Sequence, residues 1–148
     1  MRRRIEFYLD QNRGSCYLRN PIIAELIQDS MLFLDGSRYH LIAWVVMPNH
    51  IHLLATPFHQ YSLSRIMQSL KGYTGREANK LLNRKGSFWQ EDYFDRYIRD
   101  EKHFLNTIAY IENNPVKARL CNKTGDWVYS SARFGLENLF NKTGARAF

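Results

Sequence analysis

The chain is poor in the residues and runs that would announce several common protein classes. Only two of its 148 residues are cysteine, Cys16 and Cys121. They are isolated and show no C-x-x-C spacing, which points to neither a disulfide framework nor a zinc knuckle. Free thiols, buried or half-buried, are expected. No stretch reaches the roughly 20 apolar residues that a membrane-spanning helix needs. Met1-Arg2-Arg3-Arg4 is basic, but Glu6 and Asp10 interrupt the next ten residues, so no secretory hydrophobic region forms. A cytoplasmic protein with no membrane partner is expected. Internal repeats, low-complexity tracts and linkers are missing too. Acidic residues are outnumbered, 14 against 21 Lys and Arg, which gives a net charge of +7 and a pI near 9.6. A basic balance favours a polyanionic partner through phosphate contacts and counterion release. The charge is spread along the chain, so any basic surface has to be assembled by folding.

What is present suits one domain with one core, spanning residues 1–148. Ile5, Phe7 and Leu9 alternate, as in a short strand over residues 4–10. Asn20-Pro21 is a helix start: Asn serves as N-cap, and Pro at the first helical position loses nothing by lacking an N–H. Ile22, Ile23, Leu26, Ile27, Met31 and Leu34 follow at helical spacing, and Asp35-Gly36 ends the helix. Tyr39 to Met47 is β-rich. Pro48-Asn49 turns the chain, and His50 to Ala55 returns as the second strand of an antiparallel hairpin. Ser62 to Asn83 reads as a long helix that Gly72 and Gly75 could break or bend and that Gly86 ends. Phe88 to Ile98 is aromatic and reads as a strand. Asp100 is an N-cap for a helix to about Asn113, which Pro115 terminates. Residues 120–148 read as a tail, with Trp127 to Arg133 packed on the body. A tight hairpin among alternating elements favours an antiparallel α+β sandwich over a doubly wound fold.

His50 and His52 lie two apart on a strand, so both imidazoles point the same way and can reach one ion, while Ile51 points to the other face. Two ligands from one rigid element are a common start to a metal site. Two histidines do not complete a coordination shell, and an H-x-H pair occurs in cores and on surfaces without any metal. A further ligand has to come from elsewhere.

Tyr110 and Asn114 are four apart at the end of the last long helix and share a face. Leu105, Ile108 and Ile111 form an apolar stripe to hold that helix on a sheet. The chemistry that would use the pair is phosphoryl transfer. A phenol, with an ordinary pKa near 10, is a poor nucleophile at neutral pH. A cation polarising the phosphate oxygens lowers the barrier, and a phosphotyrosine keeps the energy of the broken phosphodiester for rejoining. Asn114 offers a neutral oxygen that could extend the set begun by the histidines. The plainer readings are a half-buried helix tyrosine and a C-terminal capping asparagine.

Val46-Met47-Pro48-Asn49-His50-Ile51-His52-Leu53-Leu54 resembles the signature of the HUH-type single-tyrosine transposases. Met67 to Thr74, Phe88-Trp89-Gln90, Asp95 to Asp100 and Tyr110 to Ala118 resemble the branch called REP-associated tyrosine transposases, in that family's order, over residues 20–134. The resemblance implies a ferredoxin-like or RRM-like antiparallel sheet with helices packed on it. It implies Tyr110 as the nucleophile that becomes linked to a 5′ phosphate, and His50, His52 and Asn114 as ligands of Mg2+ or Mn2+. The implied partner is single-stranded or hairpin DNA, and the implied assembly a monomer or a homodimer. Family members open with a complete first strand that pairs centrally. Here residues 1–19 look like a truncated or divergent version of it.

For DNA contacts, Arg65, Lys71, Arg76, Lys80, Arg84 and Lys85 form a basic run on or beside the long helix, which could equally be a solvated face. Arg96 and Arg99 flank Tyr97, and Lys102 begins the tyrosine helix. Phe88, Trp89, Tyr93 and Phe94 could stack bases or belong to the core. His40, His59 and His103 have no evident partners. Three functions are compatible with these features: a metal-dependent enzyme that nicks and rejoins single-stranded DNA, a catalytically weakened hairpin-binding protein of the same fold, or an unrelated phosphoesterase built on the H-x-H strand. The last generally needs another histidine or an H-x-[ST] element, which Leu54 and Ala55 do not provide.

Overall fold

The computed structural model of the chain describes residues 3–11 and 15–135. Its elements are β1 (Ile5–Asp10), α1 (Pro21–Leu34), β2 (Tyr39–Val46), β3 (His50–Pro57), α2 (Leu63–Leu82), β4 (Phe94–Tyr97) and α3 (Glu101–Lys117). One antiparallel sheet holds all four strands in the order β2-β3-β1-β4. The fold is α+β, with helices packed on an antiparallel sheet, as the sequence leads one to expect.

The N-terminal strand sits centrally in the sheet: β1 pairs with β3 from Ile5↔Ala55 to Asp10↔His50 and with β4 from Ile5↔Tyr97 to Tyr8↔Phe94. Six residues suffice because both edges of the strand are used. The strict alternation of Ile5, Phe7 and Leu9, all buried, fixes its face, since a slip of one residue would turn them to the other side.

That alternation sorts the sheet into two faces. Ile5, Phe7, Leu9, Ile51, Leu53 and Ala55 pack with Ile23, Ile27 and Met31 of α1 and Ile66, Met67 and Leu70 of α2. On the other face, Ala43, Val45 and Leu54 pack with Ile111 of α3. So α1 and α2 cover one side and α3 the other.

Capping residues set the helix starts. Asn20 accepts from the N–H of Ile22, Ser62 from that of Arg65, and Asp100 from that of His103. The ends differ from the sequence reading. α2 runs unbroken through Gly72 and Gly75 and ends at Leu82, where Asn83 takes the left-handed conformation with φ 51°. A Cβ on Gly75 would lie 3.6 Å from the Cβ of Phe88, so this is where the next segment of chain crosses the helix closely. α3 does not stop before Pro115 but includes it and runs to Lys117. One missing N–H in the last turns is tolerated where the ring itself is buried. The aromatic stretch read as one strand from Phe88 to Ile98 also divides. Phe88 and Trp89 enter the core, and only Phe94–Tyr97 forms β4.

The segment after α3 packs as expected. The Trp127 indole N–H donates to the carbonyl of Val46, and the Trp44 N–H donates to the Ser131 hydroxyl. Residues 136–148 of the expected tail lie outside the described residues. Cys121 is half-buried, but Cys16 is exposed, and both are free. No helix among the described residues is long and apolar enough to cross a membrane.

Candidate active site

Strand register builds the site. Tyr8 of β1 lies directly opposite His52 of β3, and Asp10 opposite His50. Val45 of β2 flanks His52 on its other side. Residues paired this way point to one face, and it is the face that α3 covers. Phe94 and Arg96 of β4, paired with Tyr8 and Glu6, join it.

The two imidazoles stand 5.1 Å apart between ring centroids, close to perpendicular. The Tyr8 ring stacks on His50 at 5.0 Å and meets His52 edge-on at 4.6 Å, so one aromatic wall braces both. Tyr110 of α3 approaches from above, its ring 5.6 Å from that of His52 and near perpendicular to it. The nucleophile candidate and the histidine pair thus meet within one chain. The Tyr110 side chain is half exposed and open to a substrate. Tyr110, His52, Tyr8, Glu6, Asp10, Phe94, Asp95 and Arg96 line one open cleft of about 720 Å³.

Burial keeps the imidazoles neutral. Desolvation, and then the neighbouring His50, push His52 down to about 3. His50 is also lowered by burial, with Asp10 opposing. Tyr8 is pushed up to about 12 by burial and by Asp10, to which its hydroxyl donates at 3.3 Å. Tyr8 therefore stays a protonated phenol at neutral pH.

Neutral imidazoles carry the lone pairs a cation needs. His50 Nδ1 lies 2.8 Å from Asn49 Oδ1, the outer hydrogen bond that orients a ligating histidine through its other nitrogen. Asn114 comes four residues after Tyr110, is half-buried, and lies one turn along α3. Among the described residues no group of three or more His, Cys, Asp or Glu forms a metal cage. The donor set fits a divalent cation held by two nitrogens and completed by an amide, water or phosphate oxygen. It does not fit a closed structural site.

The remaining expected DNA contacts are divided between the faces. Arg96 lies in the cleft and donates to Glu6 Oε1 at 2.7 Å, and Arg99 and Lys102 are exposed where β4 leads into α3. The α2 cations are not brought to Tyr110, because α2 covers the opposite face. Arg65 and Arg76 are exposed there. Lys71 donates to the carbonyls of Gln90 and Glu91. Lys80 pairs with Glu77, while Arg84 bonds to Asn79 and Ser87 and lies over the Tyr17 ring. Of the aromatic candidates, Phe88 and Trp89 are core, Tyr93 is half-buried, and Phe94 is exposed. Sequence reasoning missed Glu6 and Tyr8. The signal was the polar half of the alternation in β1, whose apolar half was used to identify the strand.

The family described as transposase, IS200 like, matches residues 17–114. A candidate REP-associated tyrosine transposase of Haemophilus influenzae is 30% identical over 103 residues, covering 63% of this chain and 58% of that protein. The REP-associated tyrosine transposase of Escherichia coli K12 is 28% identical over 94 residues, covering 63% and 54%. The chain thus spans little more than half the length of these curated relatives. In fold it is similar to a REP-associated tyrosine transposase solved bound to a REP hairpin, with a TM-score of 0.71 at 21% identity, covering 93% of this chain and 81% of that one. With the match running from just before α1 into α3, through the histidine strand to Asn114, this chain belongs to the IS200-like transposase family.

Proposed function

We propose that this chain cuts and rejoins single-stranded DNA, with Tyr110 as the nucleophile and a hairpin with single-stranded flanks as its substrate. The observation that carries the reading is the half-exposed Tyr110 ring 5.6 Å from His52, over a cleft wide enough for a nucleotide.

The step balances without a co-reactant. Tyr110 Oη bonds to phosphorus as the bond from phosphorus to the 3′ oxygen breaks. The phenolic proton leaves, and the 3′ oxygen gains one and departs as a hydroxyl. The 5′ phosphate stays esterified to Tyr110, and attack by a 3′ hydroxyl reverses the step and rejoins the strand. Held by His50, His52 and the Asn114 amide, Mg2+ or Mn2+ would polarise the phosphate oxygens when bound. Imidazole ligands favour Mn2+ of the two. Tyr8 braces both imidazoles, Phe94 offers a face to a base, and Arg96, Arg99 and Lys102 supply positive charge beside the strand.

The test uses single-stranded hairpin oligonucleotides with Mn2+. Wild type should form a covalent adduct that survives denaturing electrophoresis, and Tyr110→Phe should form none while still binding the DNA. A binding protein without catalysis gives no adduct in either case. A phosphoesterase cuts equally well with Tyr110→Phe, which would refute the proposal.

A further inference from the structure

The transfer step leaves Glu6 without a role, although it stands where a carboxylate is costly to keep. Its side chain is nine-tenths buried, and a buried charge has to be paired. One oxygen is paired: Oε1 accepts from Arg96 Nη2 at 2.7 Å across the β1–β4 ladder. The other, Oε2, faces His52 Nδ1 at 3.9 Å on the opposite neighbour, β3. His52 Nδ1 is buried and has no hydrogen-bond partner. Glu6 thus bridges three strands and presents a lone pair to a buried ring nitrogen that has no hydrogen-bond partner among the described residues.

His50 supplies the precedent within the same site, its Nδ1 meeting Asn49 Oδ1 at 2.8 Å. A neutral imidazole that donates from Nδ1 keeps its lone pair on Nε2. We propose that Glu6 is a positioning residue: clamped by Arg96, its carboxylate holds His52 as the Nδ1–H tautomer and leaves Nε2 as the ligating nitrogen. At 3.9 Å the contact is longer than a hydrogen bond, and such contacts tighten when a site is loaded. Arg96 then serves the site from inside as well as facing the DNA. This inference rests on the reading of His52 as a metal ligand.

Two measurements test it on the full chain. Nitrogen NMR of 15N-histidine-labelled wild type should show His52 protonated at Nδ1. Manganese titration followed by electron paramagnetic resonance should show the dissociation constant rising about 10–100-fold in Glu6→Leu, the usual range for loss of an outer-shell partner. It should rise less in Glu6→Gln, whose amide oxygen can still accept. Circular dichroism establishes that each variant is folded. An Nε2–H tautomer in wild type overturns the proposal, and so does wild-type Mn2+ affinity in both folded variants. His52→Ala separates the two ideas. If wild type and His52→Ala bind Mn2+ alike, the metal-ligand reading fails, and the tautomer alone still decides what Glu6 does. The tautomer measurement needs no variant, so a misfolded Glu6→Leu leaves the question decidable.

Discussion

Acidification should destabilise this fold through His52. The unfolded chain has an ordinary imidazole, near 6.5, whereas burial and His50 hold the folded one near 3. Because the folded pKa is the lower one, the unfolded state binds more protons between the two values, and stability falls with pH across that window. Well above 6.5 both states are neutral and the effect vanishes. At about pH 5 the unfolded imidazole is almost fully charged and the folded one almost fully neutral. The loss is then about 2 kcal/mol, from about 1.36 kcal/mol per unit over the roughly 1.5 units between 6.5 and 5. Urea unfolding at about pH 7.5 and pH 5 should show the loss, with His50 adding to it in the same direction. His52→Gln isolates the residue: its stability should fall about 2 kcal/mol less over the same interval. If wild type and His52→Gln lose the same stability, His52 is not a desolvated neutral base.

Phe94→Ala should weaken binding of single-stranded DNA by about 1–3 kcal/mol, the worth of one base stacked on an aromatic ring, because Phe94 is exposed in the Tyr110 cleft. Fluorescence anisotropy measures it, and unchanged affinity would remove Phe94 from the DNA path. Thr74→Val should cost about 1–3 kcal/mol in chemical denaturation. It strands the Trp89 indole N–H, which donates to Thr74 Oγ1 at 2.9 Å in the core; a neutral result would mean that the indole finds another acceptor.

Signals confined to a few neighbouring residues were legible in the sequence, and those that depend on what packs above them were not. Asn20-Pro21, Ser62 and Asp100 start helices because capping is a transaction between a side chain and an N–H two or three residues on. The hairpin and the His50/His52 pair come from a period of two. By contrast, Pro115 reads as a terminator on local grounds, and only the burial of its ring explains why α3 continues to Lys117. Gly72 and Gly75 read as breaks, yet Gly75 is the place where Phe88 crosses α2. Phe88 and Phe94 share a composition typical of strands, but one is core and the other exposed. The basic run on α2 is visible in the sequence, whereas its position on the far face from Tyr110 is a property of the sheet.

The arrangement explains how Tyr110, the proposed nucleophile, can be both half exposed and firmly placed. The buried positions of α3 are His103, Thr107, Ile111 and Pro115, a single stripe of four-residue steps. Tyr110 precedes Ile111 by one residue, about 100° around the helix, so the anchoring of Ile111 swings Tyr110 outward over the cleft. Glu112, on the other side of Ile111, accepts from the Ser131 hydroxyl at 2.5 Å, and Ser131 is tied to Trp44 of β2. Ile111 is seated among Ala43, Val45 and Leu54. The helix is therefore fixed on the β2–β3 side while its tyrosine overhangs the β3–β1 side, where His52 and Tyr8 meet it. A tyrosine within the buried stripe would be closed to solvent, and one opposite the stripe would miss the histidines. Only the margin of the stripe satisfies both conditions.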